Sequence, residues 1–284
     1  MQLTIPGTVI SIGNLSPDKY PGGTDDTSFV KRILCEGDSW FSLGAIPSSN
    51  LLFGLMFAQE TLVYNLATPG DTIRNMADIS SNPELEKLIV NPQFNTQWDA
   101  IFISGGGNDL IDQLQRIICS SSPGAGNNFL DYISRIEMAK LKATIQQGYR
   151  TIANLRDQSE KNANTPIVTH IYDYPTPRNA PAKFVGVGFK GPWLYPALKS
   201  ASVDEKFWIS ISDYLFEWMG EVLIELVQTI PNFHVISNTA STLIRAELDT
   251  SGESGDWLNE IHPTRNGYQK LSDVISPELH LLIQ

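Results

Sequence analysis

The sequence has two cysteines, Cys35 and Cys119, and four histidines in 284 residues. That scarcity excludes a disulfide framework, and no CxxC or Cys/His cluster marks a zinc site. Basic residues are few as well: 20 Lys and Arg stand against 31 Asp and Glu, for a formal net charge of −11. Nucleic-acid phosphates and anionic lipid both require a cationic footprint, so neither is an expected partner. No apolar run approaches the ~18 residues of a membrane span. The first residues, MQLTIPGTVISIGN, lack the basic start and long apolar core of a secretory signal. The expectation is a cytoplasmic protein, with secretion of a processed form left open. Internal repeats and low-complexity tracts are missing too. Oligomeric state is not addressed by any feature of the sequence.

What is present is an alternation of short apolar runs with helical patterns. Arg32 to Glu36, Thr61 to Leu66, Trp98 to Ser104, Pro166 to Tyr172 and Phe233 to Ser237 read as strands. Ser48 to Glu60, Pro83 to Val90, Leu130 to Leu155, Phe207 to Ile230 and Thr264 to Ile275 or beyond read as helices. Strands separated by helices predict an α/β protein with a parallel sheet and right-handed crossovers. Near-continuous apolar strands predict a sheet covered on both faces, a three-layer α/β/α sandwich. Residues 1–30 form either an edge strand or a contact arm, and 31–284 one domain. Within that domain, residues 173–205 read as a long loop insertion, rich in Pro, Gly and aromatics.

In a parallel sheet, ligands bind beyond the carboxyl ends of the strands. The loops at that rim carry the polar chemistry. After the first strand comes Gly37-Asp38-Ser39-Trp40, with a serine one step past the strand end. A serine hydroxyl becomes a useful nucleophile when a base takes its proton. The other reading is a capping turn made by Asp38 or Ser39. After the second strand, Gly70 offers a backbone N–H with no side chain in the way. After the third, Gly105-Gly106-Gly107 lets the backbone approach a ligand, and Asn108 adds an amide donor. Such donors stabilise the charge that develops on a carbonyl oxygen during acyl transfer. His262, followed by Pro263, opens the last helix and places an imidazole in a rim loop. Asp38, Trp40, Asp173, Tyr174 and Trp193 are candidate substrate contacts. The aromatics Phe184, Phe189, Trp193 and Tyr195 either wall a pocket or pack the long loop against the body. Gly186, Gly188 and Gly191 match a dinucleotide pattern, but Pro192 follows where a helix should start, so no nucleotide cofactor is expected.

Four of these blocks, Gly37-Asp38-Ser39, Gly70, Gly107-Asn108-Asp109 and His262-Pro263, occur in an order that resembles the SGNH hydrolases, also called GDSL esterases and lipases. The resemblance spans roughly Arg32 to the C-terminus. It implies a five-stranded flavodoxin-like sheet of order 2-1-3-4-5 and hydrolysis of an acyl or lipid ester, a thioester or a sugar O-acetyl group, without metal or cofactor. It implies Ser39 as nucleophile, His262 as base, and an oxyanion hole built from the Ser39 and Gly70 N–H groups and the Asn108 amide. One position departs from the pattern. The family usually carries an aspartate three residues before the histidine, where this chain has Asn259. Asn259 is expected to lie near the ring, where its oxygen can accept the Nδ1–H bond without bringing charge. Asp256, Glu260 or a backbone carbonyl could support the ring instead, with Asp256 favoured among the charged groups. The alternative reading of the whole rim is a non-catalytic module that binds an anion or a carbohydrate.

Overall fold

A computed structural model describes residues 2–42, 49–94, 96–120, 127–184 and 188–284. Its main sheet has six strands, all parallel: β1 (Thr8–Ser11), β2 (Lys31–Gly37), β3 (Thr61–Asn65), β4 (Ala100–Ser104), β5 (Ile167–His170) and β6 (Phe233–Ile236). Their spatial order is β1-β3-β2-β4-β5-β6. The five strands expected from the sequence keep the expected order, but the sheet does not stop at five. Thr8–Ser11 pairs with β3 and covers an edge that would otherwise expose unpaired backbone. That strand is short and only Ile10 in it is buried, so its apolar signal was too weak to count.

The helices are α1 (Ile73–Ala77), α2 (Pro83–Ile89), α3 (Gly107–Ile117), α4 (Arg135–Asp157), α5 (Leu194–Ser200), α6 (Trp208–Leu226) and α7 (Arg265–Leu282). The chain steps from β2 outward to β3, then back across β2 to β4, β5 and β6. With right-handed crossovers this reversal puts the connection after β2 on one face and those after β3, β4 and β5 on the other. Accordingly α1, α2, α3 and α6 all pack on α4, whereas α7 packs on the segment between β2 and β3. There the Ser272 hydroxyl donates to the Leu51 carbonyl at 2.6 Å and the Met56 N–H donates to Ser276 Oγ at 3.0 Å.

That segment corrects one expectation. Ser48 lies outside the described residues, and the remainder of the stretch to Glu60 is not one helix. It holds a 3-10 turn, Leu51–Gly54, capped by Asn50, and a two-residue strand, Met56–Phe57, which pairs antiparallel with Ile5–Pro6. Gly54 ends the turn where Ser272 leaves no room for a side chain: an added Cβ would lie 2.5 Å from its hydroxyl. Helix α4 begins at Arg135 rather than Leu130, because Asn128 and Asp131 form a capping box around a separate 3-10 turn and Ser134 then caps the helix. The 173–205 insertion contains a hairpin, Ala182–Phe184 with Gly188–Lys190, and α5. Gly186 and Val187 of the glycine pattern, and the side chain of Phe184, lie outside the described residues. Phe189 is exposed, while Tyr195 packs edge-on against Trp208.

The register brings the rim loops level. Cys35 pairs with Asn65 and Gly37 with Ser104, so the chain leaves β2, β3 and β4 at nearly the same height. Gly37 permits this closeness, since a Cβ there would meet that of Ser104 at 2.9 Å. Among the described residues no helix is long and apolar enough to cross a membrane.

Candidate active site

The first and last rim loops meet. Ser39 Oγ lies 2.8 Å from His262 Nε2, although the two residues are 223 positions apart. Ser39 lies two residues past the end of β2, and the Asp38 carboxylate accepts the Trp40 N–H at 2.9 Å, closing a tight turn around the serine. His262 precedes α7, whose start is fixed by Thr264 Oγ1 accepting the Gly267 N–H. Trp40 joins the two loops. Its indole N–H donates to the Ile261 carbonyl at 3.2 Å, next to His262 in the chain. Ser39 is half-buried and His262 buried.

Asn259 determines the state of the imidazole. Its Oδ1 receives the Ile261 and His262 backbone N–H groups at 3.2 and 3.0 Å and lies 2.9 Å from His262 Nδ1. An oxygen already serving two donors can only accept from the ring, so Nδ1 carries the proton and Nε2 is left to accept from Ser39. Burial pushes His262 down to about 4, so the ring is neutral through the physiological range.

The nearby carboxylates, Asp256, favoured among the charged groups, and Glu260, are engaged elsewhere. Asp256 pairs with Lys270 at 2.6 Å and accepts the Ile244 N–H at 2.7 Å and the Asn266 amide at 3.3 Å. It locks the loop on which His262 sits, and the place at Nδ1 belongs to Asn259. Glu260 is fully buried and accepts backbone N–H groups of Arg178, Trp193, Leu194 and Tyr195. Desolvation pushes its carboxyl up to about 7, against the pull of those four bonds. Glu260 thereby fastens the insertion to the histidine loop and holds Trp193 edge-on to the His262 ring, 5.6 Å between centroids.

Of the expected oxyanion donors, Gly70 lies on the loop after β3 and Asn108 in the first turn of α3. Thr68, Pro69, Gly70 and Asp71 form a turn closed by Asp71 N–H to the Thr68 carbonyl, with Gly70 at φ +85°. Proline second and a positive-φ glycine third is the pattern of a type II turn. Asn108 donates from Nδ2 to the Asp71 carbonyl at 2.9 Å, and Asp109 accepts the Ile73 N–H at 2.8 Å. Two neighbouring residues of α3 thus clamp the loop that carries Gly70. The second Nδ2 hydrogen of Asn108 remains for another acceptor.

A narrow, partly open pocket lies beside Ser39. Asp38, Trp40, Asn108 and Asp173 reach its wall with Ser39, and Ile111, Pro175, Phe216 and Trp257 make it apolar. Of the expected substrate contacts, Asp38 and Trp40 are buried and bonded within the protein. Asp173 accepts the Tyr174, Ser241 and Leu243 N–H groups and so shapes a neighbouring loop. Tyr174 is not at the pocket wall; its ring packs under the Arg245 guanidinium, 5.9 Å away. The sequence missed Ile111 and Phe216. Ile111 lies one helical turn after Asn108 and could have been found from that spacing, while Phe216 is one apolar residue in a long stripe with nothing to single it out.

No family model matches the chain, and no curated protein does. Solved structures do. The chain is similar to a lipase from a goat rumen metagenome at 15% identity, over 87% of this chain and 97% of that one, with a TM-score of 0.49. It is similar to an inhibitor-bound aryl esterase of M. smegmatis at 13% identity, over 89% and 100% of the two chains, with a TM-score of 0.45. The third likeness is to an acetyl-xylooligosaccharide esterase from Geobacillus, at 13% identity, over 89% and 95% of the chains, with a TM-score of 0.44.

Proposed function

We propose that this chain is a serine ester hydrolase of the SGNH type, working through an acyl-enzyme on Ser39. The observation that carries the reading is the 2.8 Å contact between Ser39 Oγ and a neutral His262 Nε2 whose tautomer Asn259 fixes. His262 takes the Ser39 proton as the oxygen attacks an ester carbonyl. The carbonyl oxygen gains negative charge, which the Ser39 and Gly70 N–H groups and the free Asn108 amide hydrogen stabilise. The imidazolium returns its proton to the departing alcohol. Water then repeats the sequence on the acyl-enzyme, with His262 again as base. Asn259 orients the ring but adds no charge, so the imidazolium relies on the oxyanion for electrostatic support.

The pocket suggests the substrate. It is narrow, and its apolar walls suit a short acyl chain or a compact alkyl group better than a long lipid. Labelling with a fluorophosphonate probe tests the proposal. Wild type is expected to take up one equivalent and Ser39→Ala none. Wild-type protein that stays unlabelled while folded would leave the non-catalytic binding reading in its place.

A further inference from the structure

Beneath the nucleophile loop lies a second polar cluster that the reaction above does not use. His170 at the end of β5, Ser104 at the end of β4, Asp38 and Tyr172 are all buried. His170 Nδ1 is 3.2 Å from the Ile171 carbonyl, and its Nε2 is 3.1 Å from Ser104 Oγ. Ser104 Oγ is 3.0 Å from Asp38 Oδ1, and Tyr172 Oη is 2.5 Å from Asp38 Oδ2.

These four contacts need four protons. A neutral histidine, one serine hydroxyl and one tyrosine hydroxyl supply three. With Asp38 ionised and His170 neutral, one contact must join two acceptors. Either the Ser104 oxygen faces a bare Nε2, or it faces the carboxylate without a proton between them, or Nδ1 faces the Ile171 carbonyl bare. Such a pair in a dry interior is costly. One more proton satisfies all four contacts, in two equivalent ways. It sits on Asp38, which donates to Ser104, which donates to His170. Or it sits on His170, which donates to Ser104, which donates to Asp38. The two forms differ only by moving protons along the same line. The remaining contact, Ser104 Oγ to Tyr172 Oη at 3.1 Å, joins two hydroxyls side by side on one carboxyl and needs no proton of its own.

We propose that Asp38, Ser104 and His170 hold one proton in common through neutral pH, and that this shared proton fixes the turn carrying Ser39. Asp38 and His170 are then positioning residues. Asp38 closes the turn through the Trp40 N–H, and His170 stacks flat on the Trp40 ring, 5.6 Å between centroids and 16° apart. Taken one at a time, Asp38, raised by burial to about 6, and His170, lowered by burial to about 4, would both be without the proton at pH 7, so it is the contact geometry that calls for sharing it. The Ser104 hydroxyl can hold Asp38 down only while donating to it, and then its oxygen faces Nε2 with no proton between. Four other ionisable groups act on Asp38. Tyr172, Tyr149 of α4 and Tyr268 of α7 are all raised by burial and stay neutral, and Asp109 of α3 adds repulsion that also favours the proton.

The positioning role rests on Ser39 being the nucleophile, but the proton is measurable without turnover. Protein labelled with ¹⁵N-histidine and ¹³C-aspartate would be followed by NMR, with His170 and Asp38 assigned by substitution. At about pH 7 the pair is expected to carry one acid proton, seen as a protonated carboxyl, an imidazolium or an intermediate shift on both. An ionised Asp38 beside a neutral single-tautomer His170 would overturn the proposal. In Asp38→Ala the carboxyl end of the line is gone, so Ser104 is left to donate to Nε2 and His170 should read neutral through neutral pH. Ser104→Ala cuts the line while keeping both ends. It should also give neutral His170, with kcat lowered on the order of 10-fold to 100-fold and KM nearly unchanged. Wild-type levels of kcat in Ser104→Ala would remove the positioning role. Absence of fluorophosphonate labelling alongside a detected proton would remove the hydrolase reading and leave the bridge.

Discussion

Among the described residues two hydrogen-bonded serine–histidine pairs lie close together, linked through Asp38 and Trp40, and their environments differ. Ser39 and His262 sit at the rim, half-open to a pocket, with an amide as third member. Ser104 and His170 sit sealed beneath them, with a carboxylate as third member, reached through the serine rather than the ring's far nitrogen. Both imidazoles are depressed to about 4 by burial. Trp40 lies between them: it stacks on His170 and donates to the carbonyl beside His262. The comparison teaches that a serine–histidine contact alone does not define a reactive site. Reactivity needs a free direction of attack at the serine oxygen, and only Ser39 has a pocket in front of it.

The largest effect should separate the pairs directly. Ser39→Ala and His262→Ala are each expected to lower turnover of a short nitrophenyl ester by on the order of 10⁴-fold or more, with the folded circular dichroism spectrum retained. Ser104→Ala should stay far closer to wild type. Equal losses would mean that both pairs work as one unit.

Asn259 gives the next largest effect. Asn259→Ala removes the acceptor at Nδ1 and should cost about 10²-fold to 10⁴-fold in kcat, by loss of the reactive tautomer. Asn259→Asp keeps the acceptor and adds a negative charge, which favours the imidazolium. Wild-type activity should therefore fall only as pH drops through about 4, where His262 gains a proton, rather than near the ordinary histidine value. In Asn259→Asp that acid limb should move upward. A rate profile with the wild-type limb near neutrality would show that the ring is more hydrated than the structure has it. Asp256→Ala, by contrast, should lower stability through loss of the Lys270 and Ile244 contacts and leave the position of the limb unchanged.

Trp40→Phe tests the link between the pairs. It keeps most of the ring packing and deletes the bond to Ile261, so a loss of about 1 kcal/mol in stability is expected, with a several-fold fall in kcat. The smallest effect concerns pH and stability. Glu36 and Glu260 are pushed up to about 7 by burial, so the folded protein keeps protons that the unfolded chain has released. Their stabilising contribution is full below the unfolded carboxylate value and is lost as pH rises through about 7. Urea midpoints should fall between about pH 6.5 and 7.5, above the range in which the two depressed histidines act the other way. Glu36→Gln should flatten part of that fall.

Much of the fold was legible from local patterns. Residues such as Ile33 to Cys35 and Ile101 to Ile103 form short apolar runs that only a doubly covered sheet can bury, and helical stripes separate them. The helix at Gly107 was hidden because its first turn is glycine and polar residues, which read as loop. Gly106 takes φ +106° there, a backbone turn that marks the helix start and that spacing alone does not reveal. The edge strand was left open because three half-buried residues and a single buried one, Ile10, carry little periodic signal.

By itself the sequence determined the layered parallel architecture and the set of loops at one rim, and it nominated Ser39 and His262 as partners. Strand and helix periods, and the polarity change at strand ends, are local properties of the chain, so reading them requires no contact map. Only the tertiary structure decided that Asn259 serves the imidazole, that Asp256 serves Lys270, and that Asp38, the neighbour of Ser39 in sequence, turns inward to Ser104 and Tyr172. Those choices depend on which of several nearby donors reaches each acceptor first in three dimensions, at distances where one ångström separates a hydrogen bond from none.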